Sequence, residues 1–395
     1  MVAFSGRIPA ALAPNRIAEA LARTPPRFDL TVANPTRCGI PYPDGLLAGL
    51  ADPSALVYCP DPRGLEVARE AVAAEVARFG VAVDPRRVVL TASTSEAYAF
   101  LFKVLANPGD AVLVPSPSYP LFEHLAHVEA VQAIPYHLEP ELGWRPDLHE
   151  LAGAPTAVRA IVVVHPNNPT GSFLHPDDAA AIVGLAAARG WAIVADEVFL
   201  DYPLAGGAGA GRTLAATESA LTFTLGGLSK SVGLPQLKLA WTVVSGPQRL
   251  VEESLARLEF VADTFLSVAT PVQLALPDLL RRGAAVRAAI ATRCRANLER
   301  LRQEVAGVPA VAAAEPGGGW SAVVRVPALV GEEELVLELL REDGVAVQPG
   351  YFFDFPTDGV LVVSLLPEPE TFAEGIRRLL RRVASHLPTS GRQSL

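Results

Sequence analysis

From about residue 65 to residue 250, short apolar runs alternate with longer amphipathic stretches, and this alternation leaves few folds open to the chain. A short apolar run between turn residues is a buried strand, and a helix joining two such strands sets them parallel. The pattern predicts strands over Arg87–Thr91, Ala111–Val114, Val131–Tyr136, Ala160–Val164, Trp191–Ala195, Leu221–Leu225 and Leu239–Val244. Helices are expected over Leu65–Phe79, Ser95–Leu105, Pro120–Val128, Pro176–Ala188 and Pro247–Phe260, and then along Pro271–Val305. This is an α/β pattern. Beyond it, strands Ala322–Val326, Val345–Gln348 and Val360–Leu365 alternate with helices Glu332–Arg341 and Pro369–His386, as in a smaller α+β unit. At 395 residues the chain is too long for one core. We expect a Pro/Gly-rich arm over 1–45 packing on the small domain and the active site, a large domain over 46–280 and a small domain over 281–395. The GGAGAG run at 206–211 lacks a strand-then-helix setting and reads as a flexible loop.

Composition excludes several function classes. Half the residues are hydrophobic, which excludes a disordered chain. A net charge of −9 argues against a general nucleic-acid binder. Three scattered cysteines, Cys38, Cys59 and Cys294, suit a reducing cytoplasm, and no apolar stretch is long enough to span a bilayer. His124 and His127 form an HxxH pair without further ligands, so it reads as a helix face and no metal is expected. Of the 33 basic side chains only Lys103, Lys230 and Lys238 are lysines. Arginine can replace lysine for surface charge but cannot lose its proton to attack a carbonyl. Lys103 sits in an ordinary helical pattern, whereas Lys230 and Lys238 share one Gly/Ser-rich segment; chance survival on a loop is the alternative.

Four segments fall at predicted strand ends, where open α/β sheets place their ligands. Thr91–Glu96 puts small hydroxyl residues at a helix N-terminus, suited either to an anion or simply to capping. His165–Gly171 (HPNNPTG) is a constrained turn that fixes an Asn side chain. Asp196 ends the strand WAIVA, where a carboxylate can pair with a buried cation or pyridinium. Gly226–Lys238 carries the two notable lysines.

Together, in this order and spacing, these segments resemble the class I/II aminotransferases, pyridoxal-phosphate (PLP) enzymes of fold type I, over nearly the whole chain. The resemblance implies a large domain with a mostly parallel seven-stranded sheet sandwiched by helices, plus a smaller α+β domain. It implies that Lys230 forms the Schiff base with pyridoxal 5'-phosphate and shuttles protons, and that Asp196 keeps the pyridine nitrogen protonated. Asn168 would bond the ring's O3′ and Tyr119 would stack on the ring. Ser93, Thr94, Ser95, Ser229 and Lys238 would hold the phosphate. Tyr58 would reach the phosphate of a neighbouring subunit, which implies a homodimer.

Four positions depart from the family pattern. Lys238 stands for a usual arginine, Gly227 for a Ser or Thr, and Phe199 for a tyrosine that donates to O3′. Val362 stands where an arginine pairs with the substrate α-carboxylate, and no Arg or Lys occurs between Arg341 and Arg377. Arg37, on the arm, is the expected replacement, with a plain surface arginine as the alternative. Trp320 walls the substrate pocket or is a core aromatic. The reading is a cytoplasmic aminotransferase acting on an amino acid and a 2-oxo acid. A PLP-dependent lyase or cyclase on an amino-acid-derived substrate is the alternative in the same fold. A non-catalytic PLP-binding regulator is the alternative of another class.

Overall fold

Two halves of the chain meet around a sheet whose strands are apolar on both faces. The computed structural model describes residues 4–9 and 12–388. Residues 1–3 and 10–11 of the expected arm, and 389–395 of the expected small domain, lie outside the described residues.

The arm carries a helix, α1 (Arg16–Arg23), and a two-residue strand, β1 (Phe28–Asp29). After α2 (Glu66–Val76) come the eight strands of the large sheet: β2 (Val88–Thr91), β3 (Ala111–Ser116), β4 (Gln132–Glu139), β5 (Arg145–Pro146), β6 (Val158–Val164), β7 (Ala192–Asp196), β8 (Thr222–Gly227) and β9 (Ala240–Ser245). Their order is β2-β9-β8-β7-β6-β3-β4-β5. The neighbours from β8 to β4 are parallel, whereas β9 runs antiparallel between β2 and β8. All seven expected strands are present. The eighth, β5, pairs antiparallel with the end of β4 after a left-handed turn at Gly143, and two residues are too few to show a period.

The linking helices are α3 (Thr94–Leu105), α4 (Leu121–Val128), α5 (Leu148–Ala152), α6 (Pro176–Arg189), α7 (Leu228–Ser231) and α8 (Gln248–Phe265). They cover both faces, which is why the strands read as unbroken apolar runs. Val162 and Val194 pack with Leu101 of α3 and Leu258 of α8, while Ile161 and Ile193 between them pack with Ile182 of α6.

A helix of 36 residues, α9 (Thr270–Val305), leads into the smaller unit. That unit holds α10 (Glu332–Glu338), α11 (Pro369–His386) and a four-stranded sheet of β10 (Ala312–Ala313), β11 (Ser321–Arg325), β13 (Gln348–Pro349) and β14 (Val360–Ser364). The strand expected over Val345–Gln348 is split. Its first half, β12 (Val345–Ala346), pairs parallel with β1 of the arm, and its second half, β13, pairs with β14. The arm thus joins the smaller unit first, through β1 and through the Ser364 hydroxyl, which donates to the Val32 carbonyl at 2.6 Å. It then reaches the segment after Lys230, where the Tyr42 hydroxyl donates to the Gly233 carbonyl at 2.6 Å.

A buried ion network secures that segment from behind. Arg287 of α9 pairs with Glu75 of α2 and with Asp201 at 3.3 Å, and its Nε donates to the Ser231 carbonyl at 2.9 Å. Arg78 closes the network onto Glu75 and, at 2.7 Å, onto Asp201. Burial pushes the Glu75 carboxyl up and the two arginines pull it back. Removing one partner of such a network leaves uncompensated buried charge, which costs about 3–5 kcal/mol. Arg287→Ala is therefore expected to lower stability by about that much, read as a fall in the urea midpoint, whereas Arg287→Lys recovers part of it.

Candidate active site

The carboxyl edge of the large sheet gathers every segment singled out above. Thr91 ends β2 and Gly227 ends β8, and both pair with Ala240 at the start of antiparallel β9. The Ser93 turn, the Lys230 segment and Lys238 are thereby brought to one place. Asp196 ends β7, the Asn168 loop follows β6, and the Tyr119 loop follows β3.

Ser93 caps α3, its Oγ accepting from the Glu96 amide at 3.1 Å, while the Glu96 carboxylate accepts from the Ala92 amide at 2.6 Å. This close relative of the capping box engages one lone pair of the Ser93 hydroxyl and leaves its O–H free to donate. The half-buried Thr94 and Ser95 keep their hydroxyls clear of the cap, and the amides of this first turn have no partner within the helix. Such a turn suits an anion. Ser229 is half-buried in α7 and Lys238 is exposed. At Gly227 a Cβ would lie 3.0 Å from the Ala240 Cβ, so a serine or threonine there would fit only if that neighbour gave way slightly.

The two asparagines divide the work in their loop. Asn167 is buried and structural, since its Oδ1 accepts from the Ser118 hydroxyl at 3.0 Å and its amide donates to the Pro117 carbonyl at 3.0 Å. It thereby pins the loop carrying Tyr119, which is 47% exposed. Asn168 turns toward the smaller unit, and the Ser321 hydroxyl donates to its Oδ1 at 3.3 Å. Gly171 completes the junction. Its φ of +71° disfavours a side chain, and a Cβ there would lie 2.5 Å from the Pro316 Cβ and 2.6 Å from the Gly318 carbonyl oxygen.

His165 holds the start of this loop. Its Nδ1 accepts from the Leu174 amide at 2.7 Å, and its Nε2 donates to the Arg212 carbonyl at 2.9 Å, at the end of the GGAGAG loop. Burial pushes the imidazole down to about 4.

Asp196 and Lys230 form the centre. Asp196 is buried; one oxygen accepts from the Val198 amide at 3.2 Å and the other from the Tyr98 hydroxyl at 3.0 Å. Burial pushes its carboxyl up, while those two donors and the charge of Lys230 oppose this. Lys230 is half-buried, with Nζ 5.0 Å from the Trp320 ring centre and 5.4 Å from that of Phe199. The loss of water around it lowers its affinity for a proton and Asp196 raises it. Trp320, 2% exposed, stands edge-on to Phe199 at 5.3 Å and to Tyr202 at 5.1 Å. It is a core aromatic and a wall beside the lysine at once.

Tyr58 is 78% exposed and stays away from this centre within its own chain. Arg37 is exposed at the end of a short helical turn, Pro35–Arg37. Val362 is buried on β14, paired with Val323 and Gln348, so this stretch of the smaller sheet offers no cation. Sequence reasoning missed Tyr98, Tyr202 and Ser321. The Tyr202 hydroxyl donates to the Lys230 carbonyl at 2.5 Å and so fixes the lysine's backbone. No local signal marks these three, because each reaches the site from another element.

The donor set suits a phosphorylated pyridine aldehyde: an anion-binding turn, a carboxylate for a ring nitrogen and an amine for a carbonyl. The family model described as aminotransferase class I and II matches residues 42–379. The chain is 27% identical over 367 residues to a glutamate-pyruvate aminotransferase of Haemophilus influenzae, covering 90% of each protein. It is 28% identical over 364 residues to an alanine aminotransferase of Mycobacterium bovis, covering 89% of this chain and 84% of the other. Among solved structures, an aminotransferase from Escherichia coli superposes with a TM-score of 0.84 at 24% identity, covering 97% of this chain and 98% of that one.

His165 also makes the site's scaffold sensitive to acid. Its folded-state pKa is below the ordinary value of 6.5, so the unfolded chain binds the extra proton first. The stability it contributes is complete above about pH 6.5 and is lost as pH falls toward about 4, a total on the order of 3 kcal/mol. The wild type is expected to lose more urea resistance between pH 7 and pH 5 than His165→Asn does; equal losses would refute this. With the matched family and its relatives set beside a fold and donor set of the same kind, the chain belongs to the aminotransferase class I and II family, as a pyridoxal-phosphate-dependent transferase.

Proposed function

We propose that Lys230 is the residue through which this enzyme moves an amino group from an amino acid to a 2-oxo acid. The observation that carries this is the half-buried Lys230 amine between Asp196, Phe199 and Trp320, where the strand ends converge. Pyridoxal phosphate, when bound, supplies the electron sink that lets an amino group leave one carbon and return to another. The lowered proton affinity of Nζ suits Lys230 both to hold the cofactor's carbonyl carbon and to move the proton at the substrate Cα. Asp196 would hold the proton of the ring nitrogen, Asn168 would bond O3′, and Tyr119 would cover the ring. The Ser93–Thr94–Ser95 turn, Ser229 and Lys238 would take the phosphate. Phe199 brings no phenol to O3′, which leaves Asn168 as its partner in this reading.

The relatives' names make alanine and glutamate the first amino donors to try and pyruvate the first acceptor. They lend no support to the lyase, cyclase or regulator readings. A homodimer in the cytoplasm fits the surface: Leu56, Val57, Tyr58, Phe260 and Phe265 are exposed apolar side chains, more than solvent favours in one region. Tyr58 and Leu266 line one cleft, so these segments are neighbours, and Tyr58 is free to serve the partner's phosphate site. Among the described residues no helix is long and apolar enough to cross a membrane, and Cys38, Cys59 and Cys294 are free thiols. The units 1–45, 46–280 and 281–395 serve as arm, cofactor domain and small α+β domain in this reading.

The holoprotein should show a visible cofactor band that alanine or glutamate bleaches and pyruvate restores, and Lys230→Ala should abolish the exchange. A band indifferent to every amino acid would overturn amino transfer.

Arg37 is the proposed partner of the substrate carboxylate. Three residues separate it from Ala33, which follows the Val32 carbonyl bonded to Ser364 beside Val362, and Pro35 packs near Gly233. The arm therefore carries Arg37 between the strand that lacks a cation and the Lys230 segment. A bidentate arginine–carboxylate pair is worth about 2 kcal/mol or more. Arg37→Ala should raise KM for carboxylate substrates at least about tenfold; an unchanged KM would rule the assignment out.

A further inference from the structure

We propose that Tyr98 is a positioning residue that aims the Asp196 carboxylate and holds it in its charged form, so that one helix, α3, serves both ends of the bound cofactor. The inference rests on the proposed role of Asp196 toward the ring nitrogen.

Tyr98 lies one turn into α3, whose first turn is the anion-binding turn at Ser93–Ser95. Its ring is 2% exposed and set by packing, edge-on to Phe122 at 5.3 Å and tilted against Phe102 at 6.0 Å. A phenylalanine would fill this space equally well. A hydroxyl in such surroundings is costly unless bonded, and the partner it has is Asp196 Oδ2 at 3.0 Å. Tyr136, behind Tyr98, does not compete for that oxygen, since its own hydroxyl donates to the Val162 carbonyl at 2.9 Å.

The ionisable groups facing Asp196 are few: Tyr98 from α3, Lys230 from α7, and Glu197, the next residue in the chain. Glu197 is turned away, accepting from the Leu214 amide at 2.7 Å and the Thr213 hydroxyl at 2.6 Å. Lys230 acts on Asp196 through its charge alone, with no hydrogen bond between them. A donor to the charged form of a buried carboxylate lowers its pKa. Tyr98 is the side-chain hydroxyl that donates to Asp196. The Val198 amide fixes one oxygen and Tyr98 the other, so the plane of the carboxylate is set from two sides while spare lone pairs remain on both oxygens.

The test is Tyr98→Phe. In the cofactor-free protein, the infrared carboxyl band that disappears in Asp196→Asn isolates this one group, and its titration can be followed directly. Loss of the hydroxyl should move the midpoint upward by about one pH unit or more. In the holoprotein the same variant should shift the pH titration of the cofactor band and lower kcat several-fold at nearly unchanged KM. A midpoint and a band titration identical to wild type would overturn the proposal. If Tyr98→Phe folds poorly, 3-fluorotyrosine placed at position 98 keeps the shape and strengthens the donor. It should move the midpoint the opposite way, and no movement would overturn the proposal equally. A wild-type protein that takes up no pyridoxal phosphate would instead sink the functional reading, and the infrared titration of the cofactor-free protein would tell the two failures apart.

Discussion

Placing a carboxylate at the end of a fully buried strand is the constraint around which this molecule is arranged. Asp196 loses its water to β7, and an unpaired charge there would be expensive. The chain compensates from three directions: the Val198 amide, the Tyr98 hydroxyl and the nearby Lys230 amine. Each comes from a different element, so the carboxylate links the β7 turn, α3 and the segment after β8. The same burial that raises the cost also makes the opposing charge of Lys230 count.

The lysine is held with comparable care. Its amine lies beside two aromatic rings that stand edge-on to each other, and its backbone is fixed by the Tyr202 hydroxyl. The next carbonyl is fixed by Arg287, whose own charge is balanced by Glu75 and Asp201. That network extends the support of the lysine segment back to α2 and α9. The buried ions thereby fix the backbone from which the Lys230 side chain starts.

The smaller unit contributes less chemistry than its place suggests. Ser321 meets Asn168, and Gly318 meets Gly171, so the two units touch where the site opens. The strand opposite presents the buried Val362, which brings no cation. The arm crosses this same opening, bound to the smaller unit at Ser364 and to the lysine segment at Gly233. The proposed recognition of a carboxylate by Arg37 would thus rest on a segment anchored to both units.

Much of this was legible in the residues alone. Strands buried on both faces write themselves as apolar runs, so β2, β3, β4, β6, β7, β8 and β9 were all readable. Scarce lysines in an arginine-rich chain drew attention to Lys230 and Lys238, because of the two cationic side chains only lysine can act as a nucleophile. The cap at Ser93 is local as well, since a hydroxyl three residues before Glu96 lies within one turn of its partner. What tertiary structure decided was which distant groups share a point in space. Tyr98, Tyr202, Arg287 and Ser321 look like ordinary core or surface residues in their own segments, and β5 is too short to have a period. The division of labour between Asn167 and Asn168 likewise depends on which of them meets Ser118 and which meets Ser321. Periodicity and side-chain chemistry are local properties and survive in one dimension, whereas hydrogen bonds between residues far apart in the chain exist only once the strands have brought them together.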